Sequence, residues 1–312
     1  MVIIFFMGFS LLKGTVMDIK NMIKEVALKN GMDMCGVSGI DRFEGSLPGR
    51  HPIDVLPGCK SVIVVGVRLL DGAVQANFRA YENGRQDLKG LYGTYGYTML
   101  PNFQLTYACY AIAQAIEHQL DEIATPLSTG PMTNGIQISI RHAAVAAGLG
   151  EFGWLSIVIT PEFGPRNRFG VILTTAELEP DPLYGGPKLC NPDKCHICSD
   201  VCPTKAIGSH AAGESRTCEL GVYGTINIPR CQIAGDGLLK KFGATEDWVN
   251  TNDPTSKDIA EANAKMPVSD RGLQHHESWH CGLCLSYCPV GKWKERFFDR
   301  GLTGGADAVL IE

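Results

Sequence analysis

Helical spacing of apolar residues appears in three parts of the chain. From Asp18, a candidate N-cap, apolar side chains recur every three to four positions, and Asn30-Gly31 would end that helix as a left-handed C-cap. The same spacing predicts a long helix over residues 103–123 and a short, alanine-rich helix over residues 141–147. The helices predicted in this way all lie in the first half of the sequence.

Short apolar runs alternate with these helices. Residues 61–67 form a continuous β-branched run that predicts a buried strand, and residues 155–160 and 169–174 predict two more. Residues 71–99 are rich in glycine and tyrosine without a regular period, so we expect a long loop there. Alternating helices and strands of this kind favour an α/β domain.

The pattern changes after residue 182, where strand signals fade and cysteines become frequent. We place a domain boundary near residues 183–188 (LYGGPK), which divides the chain into residues 17–185 and 186–300. Residues 1–16 precede the first helix and are interpreted as an N-terminal extension, and residues 301–312 as a C-terminal tail.

Composition narrows the possible functions. The 312 residues are 45% hydrophobic and carry 28 Lys and Arg against 33 Asp and Glu, a formal charge of −5, which excludes wholesale disorder and disfavours general nucleic-acid binding. The longest apolar stretch, residues 2–12, is interrupted by Gly8 and Ser10 and is far shorter than the roughly 20 residues of a membrane helix. We therefore expect a cytoplasmic protein with no membrane partner.

The 12 cysteines carry the clearest chemical signal. Two runs have the spacing Cys-x-x-Cys-x-x-x-Cys-Pro, which is typical of bacterial ferredoxin modules with two [4Fe–4S] clusters. In such modules the cysteine before proline binds the cluster of the other run. The first cluster would then be held by Cys190, Cys195, Cys198 and Cys288. The second would be held by Cys202, Cys281, Cys284 and one further cysteine, with Cys231 favoured and Cys218 as the alternative.

Other interpretations of these motifs are weaker. Disulfides suit secreted chains, and no secretion signal is evident. Zinc sites commonly use two Cys-x-x-Cys pairs, but here each pair is extended to a Cys-Pro. Residues 148–153 match Gly-x-Gly-x-x-Gly, yet they follow a helix and precede a strand, the reverse of a dinucleotide-binding turn. Cys35, Cys59 and Cys109 are interpreted as buried small residues.

An ordered series of motifs points to a family. Residues 141–154 (RHAAVAAGLGEFGW) are followed by residues 159–170 (ITPEFGPRNRFG), residues 178–181 (LEPD) and then the cysteine runs. This series resembles the epoxyqueuosine reductases and the related reductive dehalogenases, from about Met17 to Pro289. The resemblance implies a nitroreductase-like, cobalamin-binding α/β domain fused to a ferredoxin module with two [4Fe–4S] clusters. It also implies a corrinoid pocket, whose candidate residues are Ser128, Arg141, Gly148, Leu149, Gly150 and Trp154.

Departures from the family pattern bear on the substrate. Epoxyqueuosine reductases resemble this chain but carry an aspartate as proton donor where this chain has Ser128, a far weaker acid. Tyrosine is the donor in the dehalogenase branch, which makes Tyr97, or Tyr95, the candidate here. Only 24 residues follow Cys288, fewer than a tRNA-modifying member would need. We therefore expect tRNA to be an unlikely partner.

The sequence thus predicts an oxygen-sensitive oxidoreductase. Electrons from an external low-potential donor would pass through two clusters to a bound corrinoid, which reduces a small organic substrate. The alternative is a ferredoxin-type electron-transfer protein that reduces a partner protein or its corrinoid without substrate chemistry of its own. A flavin in a nitroreductase-like pocket is a third possibility.

Overall fold

A computed structural model describes residues 16–82, 88–127, 137–208, 215–242, 244–250, 252–266 and 281–291. Ser128, the tail at residues 301–312 and all but the last residue of the N-terminal extension lie outside these ranges. Among the helices within them, none is long and apolar enough to cross a membrane.

The described residues contain helices and strands in a mixed order. The helices are α1 (Val16–Lys29), α2 (Pro52–Val55), α3 (Asp71–Glu82), α4 (Lys89–Leu91), α5 (Met99–Leu120), α6 (Ile140–Ala146), α7 (Ile197–Asp200), α8 (Ile228–Gly235), α9 (Ser256–Lys265) and α10 (Leu283–Tyr287). A π-helix (Tyr92–Tyr97) connects α4 to α5, and short 3₁₀ turns cover Ile40–Phe43 and Lys240–Phe242. The strands are β1 (Met34–Gly39), β2 (Ser61–Arg68), β3 (Ala124–Pro126), β4 (Glu151–Phe152), β5 (Val158–Ile159), β6 (Asn167–Thr174), β7 (Ser215–Cys218) and β8 (Gly221–Gly224).

The main sheet has four strands in the order β1-β2-β6-β3. Strand β2 is an unbroken apolar run because both of its faces are covered. Ile63, Val65 and Val67 pack with α1 and α5 on one face, whereas Val62 and Val64 pack with α6 on the other. The predicted strand at residues 61–67 is therefore confirmed as a buried, central strand.

All strand pairs in this sheet are antiparallel. The predicted mixture of helices and strands is therefore confirmed, and the structure adds that the sheet is antiparallel. The alternation of helices and strands in the sequence does not fix strand direction, because a connection that contains a helix can lead to a next strand that runs in either direction.

The prediction of a loop at residues 71–99 is wrong. Helices α3 and α4 and the π-helix occupy most of it. Val74 and Phe78, four residues apart on α3, pack into an apolar cluster that also contains Tyr92 and three of the cysteines. This tertiary burial stabilises helices whose glycine-rich sequence gives little helical signal.

The remaining helix and strand predictions differ mainly at their ends. Helix α5 begins four residues earlier than predicted and ends before Asp121, which adopts a left-handed conformation with φ 56°. The predicted strand at residues 155–160 is reduced to β5, while α6, β6 and the left-handed cap at Gly31 are confirmed. Cys59 and Cys109 are buried as expected, whereas Cys35 is only partly buried.

Two glycines near α6 are required by the chain's own backbone. A Cβ atom at Gly148, which has φ +75°, would lie 2.1 Å from the Pro182 carbonyl oxygen. A Cβ atom at Gly150 would lie 2.1 Å from the Ile159 carbonyl oxygen. The glycines thus allow two backbone segments to pack closely.

Replacing Gly150 with alanine is expected to lower the free energy of unfolding by about 1–3 kcal/mol, because the backbone around Ile159 must shift. Gly72→Ala is the matched control, since a Cβ atom there meets nothing within 4 Å and the residue lies in α3. The control is expected to leave stability unchanged or raise it by up to about 1 kcal/mol. Thermal unfolding of both variants checks this, and equal midpoints would contradict it.

Candidate metal centre

Four cysteines from distant parts of the chain form a first thiol group. It consists of Cys190, Cys195, Cys198 and Cys288. Cys198 lies on α7 and Cys288 follows α10, and both are buried. Burial, together with the charges of Cys190, Cys288 and Cys195, raises the pKa of Cys198 to about 12. Cys190, Cys198 and Cys288 pack in one apolar cluster, so these thiols are neighbours.

A second thiol group lies beside the first. It consists of Cys202, Cys231, Cys281 and Cys284. Burial raises the pKa of Cys231 to about 12, with added repulsion from Cys281 and Cys202. Desolvation of the partly buried Cys284 raises its pKa, and the charges of the other three members of this group and of Cys198 from the first group raise it as well. Cys202 and Cys284 pack in the same apolar cluster as Cys198 and Cys288, so the two groups are neighbours.

Cys218, the alternative ligand, lies elsewhere. Its thiol donates to the Gly221 carbonyl at 3.5 Å within the β7–β8 hairpin. The side chain packs against the apolar cluster that contains Phe152 on the far side of the main sheet from α5. This position separates Cys218 from the second thiol group.

The thiols do not converge on a point. Within the described parts of the chain, no three His, Cys, Asp or Glu side chains are placed so that they could hold one metal ion. Thiolates around a single zinc ion would each lie about 2.3 Å from it. In a [4Fe–4S] cluster each thiolate binds a different iron, so its ligands are more widely spaced.

Backbone amides and one carboxylate orient the cysteines of the first run. The Trp154 amide donates to Cys190 Sγ at 3.3 Å, and the Ala206 amide donates to Cys202 Sγ at 3.2 Å. Glu151 Oε1 accepts from the amides of Leu189 and Cys190 at 2.7 and 2.8 Å. Amide donors to sulfur favour the thiolate form that an iron cluster requires.

Arg166 holds the loop of the second run. Its side chain is buried, and Nη1 donates to the carbonyls of Leu285 and Cys288, each at 2.9 Å, while Nη2 donates to the Val290 carbonyl. Burial lowers the pKa of Arg166 to about 10, and the nearby Cys288 opposes this shift. The sequence interpretation missed this residue, although it lies in the quoted motif at residues 159–170.

A cavity of about 490 Å³ adjoins the second thiol group. Cys231, Cys281 and Cys284 form part of its wall, and Tyr97 and Arg141 form another part. The remaining lining residues are Ser156, Ile157, Arg216, Tyr223, Gly224, Thr225, Ile226, Ile228, Gly235, Gly282 and Leu285. A cavity of this size suits a small-molecule ligand or part of a larger cofactor.

Arg141 is held at the wall of this cavity. Its guanidinium donates to the Ser156 carbonyl and hydroxyl and lies 5.5 Å from the centre of the Tyr223 ring. Burial lowers the pKa of Arg141, and the charge of Arg216 lowers it further. Among the described lining residues, two are arginines and none is acidic, which favours a positive potential in the cavity.

The two candidate tyrosines differ in position. Tyr97 lines the cavity, stacks on Tyr92 with ring centres 5.7 Å apart, and has the Arg168 guanidinium 4.8 Å from its ring centre. Burial raises the pKa of Tyr97, and Arg168 opposes that shift. Tyr95 is 49% exposed and is not among the lining residues.

The other candidate corrinoid residues lie away from the cavity. Gly148 and Gly150 face the chain's own backbone, and Leu149 packs in the core beside α6. Trp154 lies beside the first thiol group: its amide donates to Cys190 Sγ, and its indole donates to the Gly208 carbonyl at 3.1 Å. Of the predicted set, Arg141 alone lines the cavity among the described residues, and Ser128 lies outside them.

Comparison with known proteins identifies relatives by sequence, although no protein-family model matches the chain. It is 42% identical over 171 residues to a tetrachloroethene reductive dehalogenase of Desulfitobacterium hafniense, which covers 48% of this chain and 29% of that protein. It is 28% identical over 224 residues to an epoxyqueuosine reductase of Staphylococcus aureus, which covers 64% of this chain and 55% of that protein. The chain is a relative of both groups of reductases. The resemblance predicted from the motifs is thus confirmed.

Solved structures show that the fold is shared. An epoxyqueuosine reductase bound to a tRNA stem loop matches with a TM-score of 0.54 and 18% identity, over 89% of this chain and 66% of that one. A catabolic reductive dehalogenase matches with a TM-score of 0.50 and 16% identity, over 83% of this chain and 35% of that one. The chain spans less than a third of the dehalogenase in D. hafniense and about half of the S. aureus epoxyqueuosine reductase.

The comparison corrects one expectation. The sequence interpretation made tRNA an unlikely partner, but a protein with the same fold binds a tRNA stem loop in its solved structure. The expectation that tRNA is an unlikely partner was wrong, because it rested on Ser128 and on the short segment after Cys288, neither of which describes the local surface that contacts a stem loop.

Arg166→Met is expected to lower the free energy of unfolding by about 3 kcal/mol or more, because three buried carbonyls lose their donor. Arg68→Met is the matched control, since Arg68 lies on β2 with its side chain about one-third exposed. Chemical unfolding of the anaerobic protein measures both changes. Equal losses of unfolding free energy in the two variants would contradict the role of Arg166 in holding the loop of the second run.

Proposed function

We propose that this chain is the redox core of an iron–sulfur, corrinoid-dependent reductase. The observation that supports the proposal is the proximity of the cysteines of both runs: Cys190, Cys198, Cys202, Cys284 and Cys288 pack in one apolar cluster, and Cys231, Cys281 and Cys284 line one cavity wall. Each group draws ligands from both cysteine runs, as two [4Fe–4S] clusters of the ferredoxin type require. Residues 17–185 would form the nitroreductase-like part and residues 186–300 the cluster-binding part.

The first cluster would be held by Cys190, Cys195, Cys198 and Cys288, and the second by Cys202, Cys231, Cys281 and Cys284. Cys231 is preferred to Cys218 because burial and the charges of Cys281 and Cys202 act on it directly. Cys284 and Cys198 pack in the same apolar cluster, so the two clusters would be neighbours and an electron would have a short path between them.

The cavity beside the second thiol group is the candidate corrinoid site. Three thiols of that group line it, which would place a bound cofactor next to the second cluster. Arg141, fixed by Ser156 and stacked on Tyr223, would bind polar groups of the cofactor. When bound, a corrinoid supplies cobalt that, in a low oxidation state, reduces an organic substrate.

Tyr97 is the candidate proton donor. Replacing a carbon–halogen bond with a carbon–hydrogen bond consumes two electrons and one proton and releases halide. An external low-potential donor would supply the electrons one at a time, and Tyr97 Oη would supply the proton. Burial keeps this hydroxyl protonated at neutral pH, and Arg168 would stabilise the phenolate that remains.

Metal analysis of protein purified without oxygen tests the cofactors. The wild type is expected to hold about eight iron atoms and to change the absorption spectrum of added cobalamin. Cys231→Ala is expected to lose one cluster signal in electron paramagnetic resonance (EPR) spectra, whereas Cys218→Ala, the control, keeps both. Iron-free wild-type protein would overturn the proposal. Two clusters without cobalamin binding, together with reduction of a separate corrinoid protein, would indicate the electron-transfer alternative.

Tyr97→Phe is expected to lower turnover by about 100-fold or more, because the proton donor is lost while both cofactors stay bound. Tyr95→Phe is the control and is expected to retain activity, since Tyr95 points into solvent. An organohalide and an epoxyqueuosine-containing tRNA stem loop are the two substrates to compare. Full activity of Tyr97→Phe on the substrate that the wild type reduces would rule out this role.

A further inference from the structure

A buried lysine lies beside the second thiol group. Lys89, on α4, is 3% exposed, and its Nζ donates to the Phe242 carbonyl at 3.1 Å. The same atom lies 4.7 Å from the centre of the Tyr81 ring. The charges of Lys89 and Cys281 act on each other. A charged side chain is rarely buried without a partner, and here the cysteine provides one.

Helix α3 directs two further side chains at the same cysteine. Tyr81 and Cys281 pack against the same apolar cluster, which also contains Phe242, and a hydrogen bond from the Tyr81 hydroxyl lowers the pKa of the Cys281 thiol. Asn77 Nδ2 donates to the Cys281 carbonyl at 2.9 Å. Because these residues are four positions apart, they lie on one face of α3. Cys281 is thus held by a cation, a hydroxyl and an amide, all from a segment that precedes the cysteine runs.

We propose that Lys89 and Tyr81 are positioning residues that raise the reduction potential of the second cluster; this inference rests on the proposed function. A cluster becomes more negative when it gains an electron. A buried cation near its ligand stabilises the reduced form more than the oxidised form, because the low-dielectric interior screens charge weakly. A hydroxyl that donates to the ligand sulfur withdraws electron density and acts in the same direction.

The location of this pair matters for electron flow. Cys281 lines the cavity, so the cluster it would bind is the one next to the candidate corrinoid. A raised potential holds the incoming electron on that cluster. Arg166 contacts the carbonyl of Cys288, a first-group ligand, and does not take part in this contact with Cys281.

A redox titration tests the proposal. Anaerobic protein is reduced stepwise with dithionite, one electron per cluster, and each cluster is followed by its EPR signal. The signal lost in Cys231→Ala identifies the second cluster. Lys89→Met is expected to make the midpoint potential of that cluster more negative and to leave the other unchanged. Lys89→Arg, which retains the charge, is expected to restore most of the shift.

Lys240→Met is the matched control. Lys240 is an exposed lysine in the same 3₁₀ turn as Phe242, so water screens its charge, and its loss is expected to leave both potentials unchanged. Tyr81→Phe keeps the ring and is expected to shift the same potential in the same direction as Lys89→Met. If Lys89→Met fails to retain iron, the potential of Tyr81→Phe still tests the proposal.

The outcomes separate this inference from the proposed function. Variants of Lys89 and Tyr81 that hold a full complement of iron with unchanged potentials would overturn the inference and leave the proposed function intact. Equal shifts in both clusters would also overturn it, because they indicate a general structural change. Wild-type protein without iron would overturn the proposed function, and the inference with it.

Discussion

Eight thiols close together, three of them buried, are unfavourable neighbours, and the structure around them is arranged to offset that cost. Burial and mutual repulsion raise the pKa of Cys198, Cys231 and Cys288, so these residues resist ionisation without a counter-charge. An iron–sulfur cluster binds thiolates and would provide that charge. The fold must therefore hold the cysteines in place while they remain neutral.

The N-terminal part of the chain does much of this work. Arg166, which directly precedes β6, binds three carbonyls around Cys288. Asn77 binds the Cys281 carbonyl, and Glu151 binds the Cys190 amide. Residues on α3, on β4 and directly before β6 thus fix the cysteine loops by contacts between side chains and backbone. Such contacts define loop positions more strictly than apolar packing alone, because each buried carbonyl must keep its donor.

The same arrangement gives the two thiol groups different surroundings. The second group borders the cavity and receives Lys89 and Tyr81, whereas the first group contacts Arg166 and the Trp154 amide. Reduction potentials of clusters respond to local charge and to hydrogen bonds at sulfur. Identical cysteine motifs can therefore hold clusters of unequal potential within one chain.

The sequence by itself determined whatever depends on short spacing: the buried strand at residues 61–67, the helix at residues 141–147, the cysteine runs and the motifs shared with the two groups of reductases. The tertiary structure decided what depends on long-range contact. Helix α3 forms because Val74 and Phe78 are buried against the cysteine-rich part, and strand direction follows from packing rather than from order. Arg166, Asn77 and Lys89 could not be assigned from sequence, because their partners lie more than a hundred residues away. A residue's charge and polarity are visible in the sequence, whereas the group it must satisfy is defined only when distant segments are folded together.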